Sequence, residues 1–140
     1  MPRDNVSILR DSVLFSSLND DEIARVASIA NERTFSAGTR MISEGDDTAL
    51  GMWIVLEGRV EVSSGGSTLA TLGPGEHVGE TALVSNSPRT ADVTAVTETT
   101  TLQITRWDLR GLMAEHPTIA VGIMDAMAIR LANTNQALAR

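Results

Sequence analysis

Glycine recurs at short intervals through the middle of the chain, at Gly38, Gly45, Gly58, Gly65-Gly66 and around the Gly73-Pro74-Gly75 turn. Between these breakers stand short runs rich in Val, Ile and Thr. Regular turns separating short β-favouring runs read as an all-β barrel or roll over residues 33–106. Alternation in Val60-Glu61-Val62, in Ala91, Val93 and Ala95, and in Leu102-Gln103-Ile104 predicts one buried face for each strand. Ser64-Gly65-Gly66-Ser67 is the clearest hairpin tip. Trp53 lies inside an apolar strand, where a core or edge anchor is a better reading than a stacking platform.

On both sides of this zone the apolar spacing turns helical. Asn19 or Asp20 is placed to cap a helix carrying Ile23, Val26, Ala27 and Ile29-Ala30, with Asp21 and Glu22 favourably set in its first turn. After Thr105, residues 107–114 make one helix that ends near His116-Pro117. A longer helix follows over residues 118–138. Its apolar positions Ile123, Met127, Leu131 and Leu138, flanked by Val121, Met124 and Ala128, form a stripe too continuous for a fully exposed helix. That stripe suits either packing on the chain's own barrel or a self-association seam. The expected fold class is α+β: an antiparallel β-roll, jelly-roll-like, flanked by N-terminal helices (1–32) and C-terminal helices (107–140). No internal repeat or low-complexity segment interrupts it.

One compact domain over residues 1–140 fits the length of 140 residues. All eleven basic residues are Arg, against 18 acidic ones, for a net charge of −7. Such a chain lacks the basic field that nucleic-acid binding needs, so DNA or RNA is not expected as a direct partner. The absence of Cys removes disulfides and thiol catalysis and fits a reducing compartment. No stretch approaches the ~18 apolar residues of a membrane span, and the N-terminus has no apolar signal core. The expectation is a cytoplasmic protein with no membrane contact.

Residues 79–91 carry the chemistry. Gly79-Glu80 enters a short turn, and Pro88-Arg89-Thr90-Ala91 leaves it. A glycine lets the backbone approach a ligand closely. Thr81-Ala82-Leu83, as the first turn of a helix, would aim unpaired N–H groups at an anion. Arg89 adds a forked, permanent positive charge, and Glu80 an acceptor suited to a sugar hydroxyl. Pro88 stiffens the return to the sheet. A cation, backbone donors and a carboxylate close together suit a cyclic phosphodiester on a ribose. Glu80 and Arg89 alone, nine residues apart around a polar turn, are better read as an ordinary exposed ion pair.

Enzyme chemistries find less support. A metal site wants convergent His and carboxylate ligands, and the two histidines, His77 and His116, fall in different zones without metal-ligand spacing. No Gly-x-Ser-x-Gly elbow occurs, and without lysine there is no P-loop. Gly73-Pro74-Gly75 reads as a tight turn because Pro74 removes a donor. No catalytic residue, metal or cofactor is expected.

The full run Gly-Glu-x-Ala-Leu, a short polar loop with Ser85, Asn86 and Ser87, then Pro-Arg-Thr-Ala resembles the phosphate-binding cassette of the cyclic nucleotide-binding domain family. Other landmarks fall in the family's order: Leu14-Phe15-Ser16-Ser17-Leu18, then the hairpin beginning Gly38-Thr39-Arg40, the strand pair around Gly58, and Leu72-Gly73-Pro74-Gly75-Glu76. The resemblance gives Glu80 the ribose role and Arg89 the phosphate role. Gly79, Thr81, Ala82, Thr90 and Ala91 complete the cassette, Ala82 and Thr90 lending backbone or hydroxyl hydrogen bonds. It further implies that Val62, Leu69 and Leu72 pack against the base, while Arg130 stacks on the purine and Thr134 or Asn135 bonds its edge. The last helix is the family's mobile element. Two departures stand out: His77-Val78 replaces an aromatic and a larger apolar residue, and Thr81 replaces an aliphatic one. Thr90 accompanies cGMP selectivity in kinases and occurs in cAMP-preferring channels as well.

The expected function is a regulatory module that senses cAMP first and cGMP second, coupling the ligand to movement of the C-terminal helix. The alternatives are a ligand-free scaffold that binds a partner protein or forms a homodimer through that helix, and the sensor fragment of a larger transcription regulator or channel.

Overall fold

The computed structural model describes residues 4–45, 51–79 and 89–138, excluding the side chains of residues 130, 131 and 133–138. The chain divides into two compact units, residues 29–110 and the two terminal segments 1–28 and 111–140.

Among the described residues, the β unit contains eight strands: β1 Asn31–Phe35, β2 Arg40–Ile42, β3 Gly51–Glu57, β4 Val60–Ser64, β5 Ser67–Leu72, β6 His77–Val78, β7 Asp92–Ala95 and β8 Thr99–Thr105. They form two four-stranded antiparallel sheets, ordered β1-β8-β3-β6 and β2-β7-β4-β5. This is the expected α+β β-roll. Gly65-Gly66 forms the tip between β4 and β5, where Ser64 faces Ser67.

Strand β3 is apolar from Gly51 to Leu56 because both of its faces are buried over Gly51–Val55. Met52 and Ile54 stand opposite Ile104 and Leu102 on one face. Trp53 and Val55 point the other way, into a core of Phe35, Ile42, Val60, Val78, Val93 and Ala95. Trp53 is therefore the core anchor its setting predicted, 3% exposed. Its ring and that of Phe35 make a T-shaped pair at a centroid distance of 6.0 Å, and its indole N–H donates to Gln103 Oε1 at 2.9 Å.

In the helical unit, α1 Asn5–Asp11 is capped by Asp4, whose Oδ1 accepts the Ser7 N–H at 2.8 Å. A 3-10 turn follows at Val13–Phe15. Helix α2, Asp20–Ser28, opens with a reciprocal box: Asn19 Oδ1 accepts the Glu22 N–H at 2.8 Å, and Glu22 Oε1 accepts the Asn19 N–H at 2.9 Å. It ends at Ser28, two residues short of the expected end, and Ile29-Ala30 lead directly into β1. Helix α3, Arg106–Glu115, runs on from β8, with Thr105 Oγ1 accepting the Asp108 N–H at 3.2 Å.

Helix α4, Pro117–Leu138, starts one residue earlier than expected because Pro117 suits the first helical position. Its buried face is Ile119, Gly122, Ile123 and Ala126. The expected stripe is therefore only partly buried: Ile123 is inside, Met127 half-buried, and Val121, Met124 and Ala128 exposed. Gly122 explains the shift, since a Cβ there would lie 2.4 Å from Leu18 Cδ2. Close approach at a glycine turned the face, and apolar side chains alone do not reveal that.

Candidate functional site

Strand β6 brings the chain to Gly79. Val78 is paired with Trp53 and buried, so the backbone reaches the site from a fixed edge. Gly79 then adopts φ +86°, a left-handed conformation that L side chains rarely adopt. A Cβ at this position would stand 2.8 Å from the Gly51 carbonyl oxygen and 3.3 Å from Arg89 Nη1. Glycine is needed for both backbone shape and space.

Arg89 lies only 8% exposed, an unusual burial for a side chain that stays charged. Its Nη1 donates to the Gly79 carbonyl at 3.2 Å and its Nη2 to the Gly51 carbonyl at 3.0 Å. The planar fork is thus oriented by backbone dipoles from the end of β6 and the start of β3. At its other end, the Arg89 carbonyl accepts the Gly45 N–H at 2.7 Å. Thr90 follows, exposed, and half-buried Ala91 leads into β7.

Gly51 was not among the residues singled out from the sequence. A Cβ on it would lie 2.2 Å from the Ile104 carbonyl oxygen, so its place beside β8 excludes any side chain. A glycine opening an apolar strand is the signal by which it could have been found.

Of the residues matched to the base, Val62 and Leu72 are partly buried against the same core as Val93. Leu69 is apart from them. It is the extra residue of a bulge, because Val62 faces Ala70 while Ser63 faces Thr68, and it is 63% exposed. Glu80, Thr81 and Ala82, together with the side chains of Arg130, Thr134 and Asn135, lie outside the described residues. The structure thus brings Gly79 and Arg89 into contact, with Thr90 and Ala91 next in the chain.

Among the described residues, two carboxylates have titration shifted by their hydrogen bonds, both in the helical unit. The Thr118 hydroxyl and then the Asn19 N–H hold the Glu22 carboxyl below its ordinary range. The Ser7 N–H does the same for Asp4. Among the described residues, no cluster of His, Asp and Glu is arranged to hold a metal ion. No helix among them is long and apolar enough to cross a membrane.

The profile of the cyclic nucleotide-binding domain matches residues 32–116. The chain is similar to the N-terminal domain of a transcriptional regulator from Streptomyces coelicolor, at 34% identity and a TM-score of 0.80 over 94% of both chains. It is similar to the regulatory domain of Toxoplasma gondii PKA co-crystallised with cAMP, at 33% identity and a TM-score of 0.72, covering 78% of this chain and 43% of that one. It also matches a glutaminase from Bradyrhizobium diazoefficiens, 34% identical over 125 residues, or 89% of this chain and 20% of that protein. Other curated relatives are longer than this chain as well, which spans 61% of one and 59% of another. With the profile covering most of its length and the cradle around Arg89 in place, this chain belongs to the cyclic nucleotide-binding domain family.

Proposed function

We propose that this chain is a cAMP-sensing regulatory module. The observation that carries the reading is the buried guanidinium of Arg89, oriented by the carbonyls of Gly79 and Gly51 immediately beside the Gly-Glu run. An anion meeting a fork already in place gains charge-assisted bonds without the entropy cost of ordering a long side chain. The cyclic phosphate is assigned to Arg89 and to the N–H groups of Thr81 and Ala82, the ribose hydroxyl to Glu80, and the base to the apolar side of Val62 and Leu72. The cAMP bound to the Toxoplasma relative supports cAMP as the first ligand, with cGMP second and Thr90 the residue that meets the base difference.

The output is a population shift of α4, worth at most the ligand's differential affinity for two placements of that helix. No catalytic role is proposed for any residue here. The module acts in the cytoplasm, alone or as the sensor of a longer regulator, a setting supported by the greater length of the relatives. Net charge of −7 speaks against direct contact with nucleic acid.

A second reading has its own support. Val121, Met124 and Ile129 of α4 are 51%, 57% and 58% exposed, an apolar surface suited to a homodimer or a partner protein. Calorimetric titration of protein stripped of nucleotide, with cAMP and cGMP in parallel, tests the first reading. Stoichiometric binding below about 10 μM, roughly −7 kcal/mol, is expected. No heat with either nucleotide on folded protein refutes it and leaves the helix-mediated scaffold.

A further inference from the structure

We propose that Asp92 is a positioning residue for Arg89, acting through the backbone of Glu44 and Gly45; the proposal rests on the reading of Arg89 as the phosphate partner. The backbone pairing of β2 with β7 reaches Ile42 and Val93. Past that pair the two chains stay joined by other means. The Glu44 N–H donates to Asp92 Oδ1 at 2.7 Å, and the next amide, Gly45 N–H, donates to the Arg89 carbonyl at 2.7 Å. Two consecutive amides therefore grip the segment at positions 89 and 92, on either side of Thr90 and Ala91.

The grip is itself braced. Asp92 Oδ2 lies 3.6 Å from the Arg40 guanidinium on β2, and the Asp92 side chain is 25% exposed. Glu44 Oε1 accepts the Ser64 hydroxyl of β4 at 2.8 Å, so Glu44 is fixed at its amide and its carboxylate. Gly45, with φ +84°, has no side chain of its own to hold it in register. The bond between Asp92 and the preceding amide supplies that register and presents the Gly45 N–H to Arg89. Arg89 is thereby anchored at both ends, its fork by Gly79 and Gly51 and its carbonyl by Gly45. Slack at the carbonyl end moves its Cα, and the fork with it.

The sign of the effect separates positioning from charge. Removing a carboxylate near an anion site strengthens anion binding by Coulomb's law alone. A positioning role predicts the opposite. In titrations of nucleotide-stripped protein with cAMP, Asp92→Ala is expected to weaken binding about tenfold, while Asp92→Asn, which keeps the acceptor, stays within about threefold of the parent. In an Arg89→Ala background, followed by NMR titration to millimolar cAMP, adding Asp92→Ala changes affinity by less than about twofold. Hydrogen exchange of the Gly45 amide in nucleotide-free protein accelerates in Asp92→Ala and not in Asp92→Asn.

Parent-like affinity in Asp92→Ala overturns the proposal, as does an equal loss in both Arg89 backgrounds. Should Asp92→Ala not fold, Asp92→Ser is the truncation measured. A parent that binds no cyclic nucleotide overturns the reading of Arg89 and this proposal together. That outcome is told apart by the Gly45 exchange, which reports the strap without ligand.

Discussion

Truncating Arg89 to alanine separates ligand binding from folding, because different terms set the two effects. For binding, an incoming phosphate charge would enter a sequestered site without its cation, at a cost of about 3–5 kcal/mol, or roughly two to three and a half orders of magnitude in Kd. For folding, the carbonyls of Gly79 and Gly51 lose a charged donor. That loss is opposed by relief from burying a guanidinium that is only 8% exposed. The midpoint of the nucleotide-free variant measures that balance. Ligand-dependent thermal shift reads both. With a parent Kd of about 10 μM, 1 mM cAMP stabilises by about 2.7 kcal/mol, a rise of roughly 8–11 °C for a chain of this size. If the variant binds about 200-fold more weakly, the same cAMP gives about 0.2 kcal/mol, a shift below about 1 °C. Arg89→Lys keeps the charge but not the fork and falls between the two. A ligand shift above about 5 °C in Arg89→Ala refutes the assignment of the phosphate to this residue.

Three further changes probe the frame. Gly51→Ala drives a Cβ to 2.2 Å from the Ile104 backbone oxygen; it is expected to lower stability by about 2–4 kcal/mol in urea unfolding and to weaken cAMP, since the Gly51 carbonyl moves with it. An unchanged urea midpoint would contradict the close β3–β8 approach. Ser12 is fully buried, and among the described residues its hydroxyl has no hydrogen-bond partner; Ser12→Ala is expected to raise stability by about 0.5–1.5 kcal/mol, and a fall in the urea midpoint would mean the hydroxyl is satisfied. The carboxyls of Glu22 and Asp4 titrate lower in the folded chain than their ordinary 4.5 and 3.8. Both therefore stabilise the fold above those values, and the contribution disappears as pH falls through the lowered ones. Thermal midpoints should decline below about pH 4.5, with a shallower decline in Glu22→Gln, and an identical pH profile in that variant would remove Glu22 from the account.

What was legible in the sequence depended on which atoms carry the information. Strand alternation is carried by side chains, so Val93 and Ala95 are buried as the pattern foretold. The hairpin at Gly65-Gly66 and the stop at His116-Pro117 follow from backbone preferences of particular residue types. The inner face of α4 was readable only at Ile123, because the face also turns on Gly122 and Ala126, whose small side chains add little to an apolar stripe. Strand β1 was readable only in its last residue: four of its five positions are exposed and only Phe35 is buried. Its place comes from backbone pairing with β8, from Asn31 opposite Gln103 to Phe35 opposite Thr99.

The same distinction accounts for the site. The sequence displays Arg89 and identifies its charge, but not what orients it. Its contacts include backbone groups of Gly45, Gly51 and Gly79, one N–H and two carbonyls. No side-chain pattern encodes a carbonyl, which every residue has. What these three positions share is the absence of a Cβ: φ is positive at Gly45 and Gly79, and the neighbouring β8 backbone leaves no room at Gly51. Of the glycines that first divide the chain into strands, Gly45, at the turn after β2, thus helps to hold its principal cation, and Gly79 joins it beside the cassette. If Arg89 holds the phosphate as proposed, a substitution at any of the three is expected to lower ligand affinity by displacing Arg89.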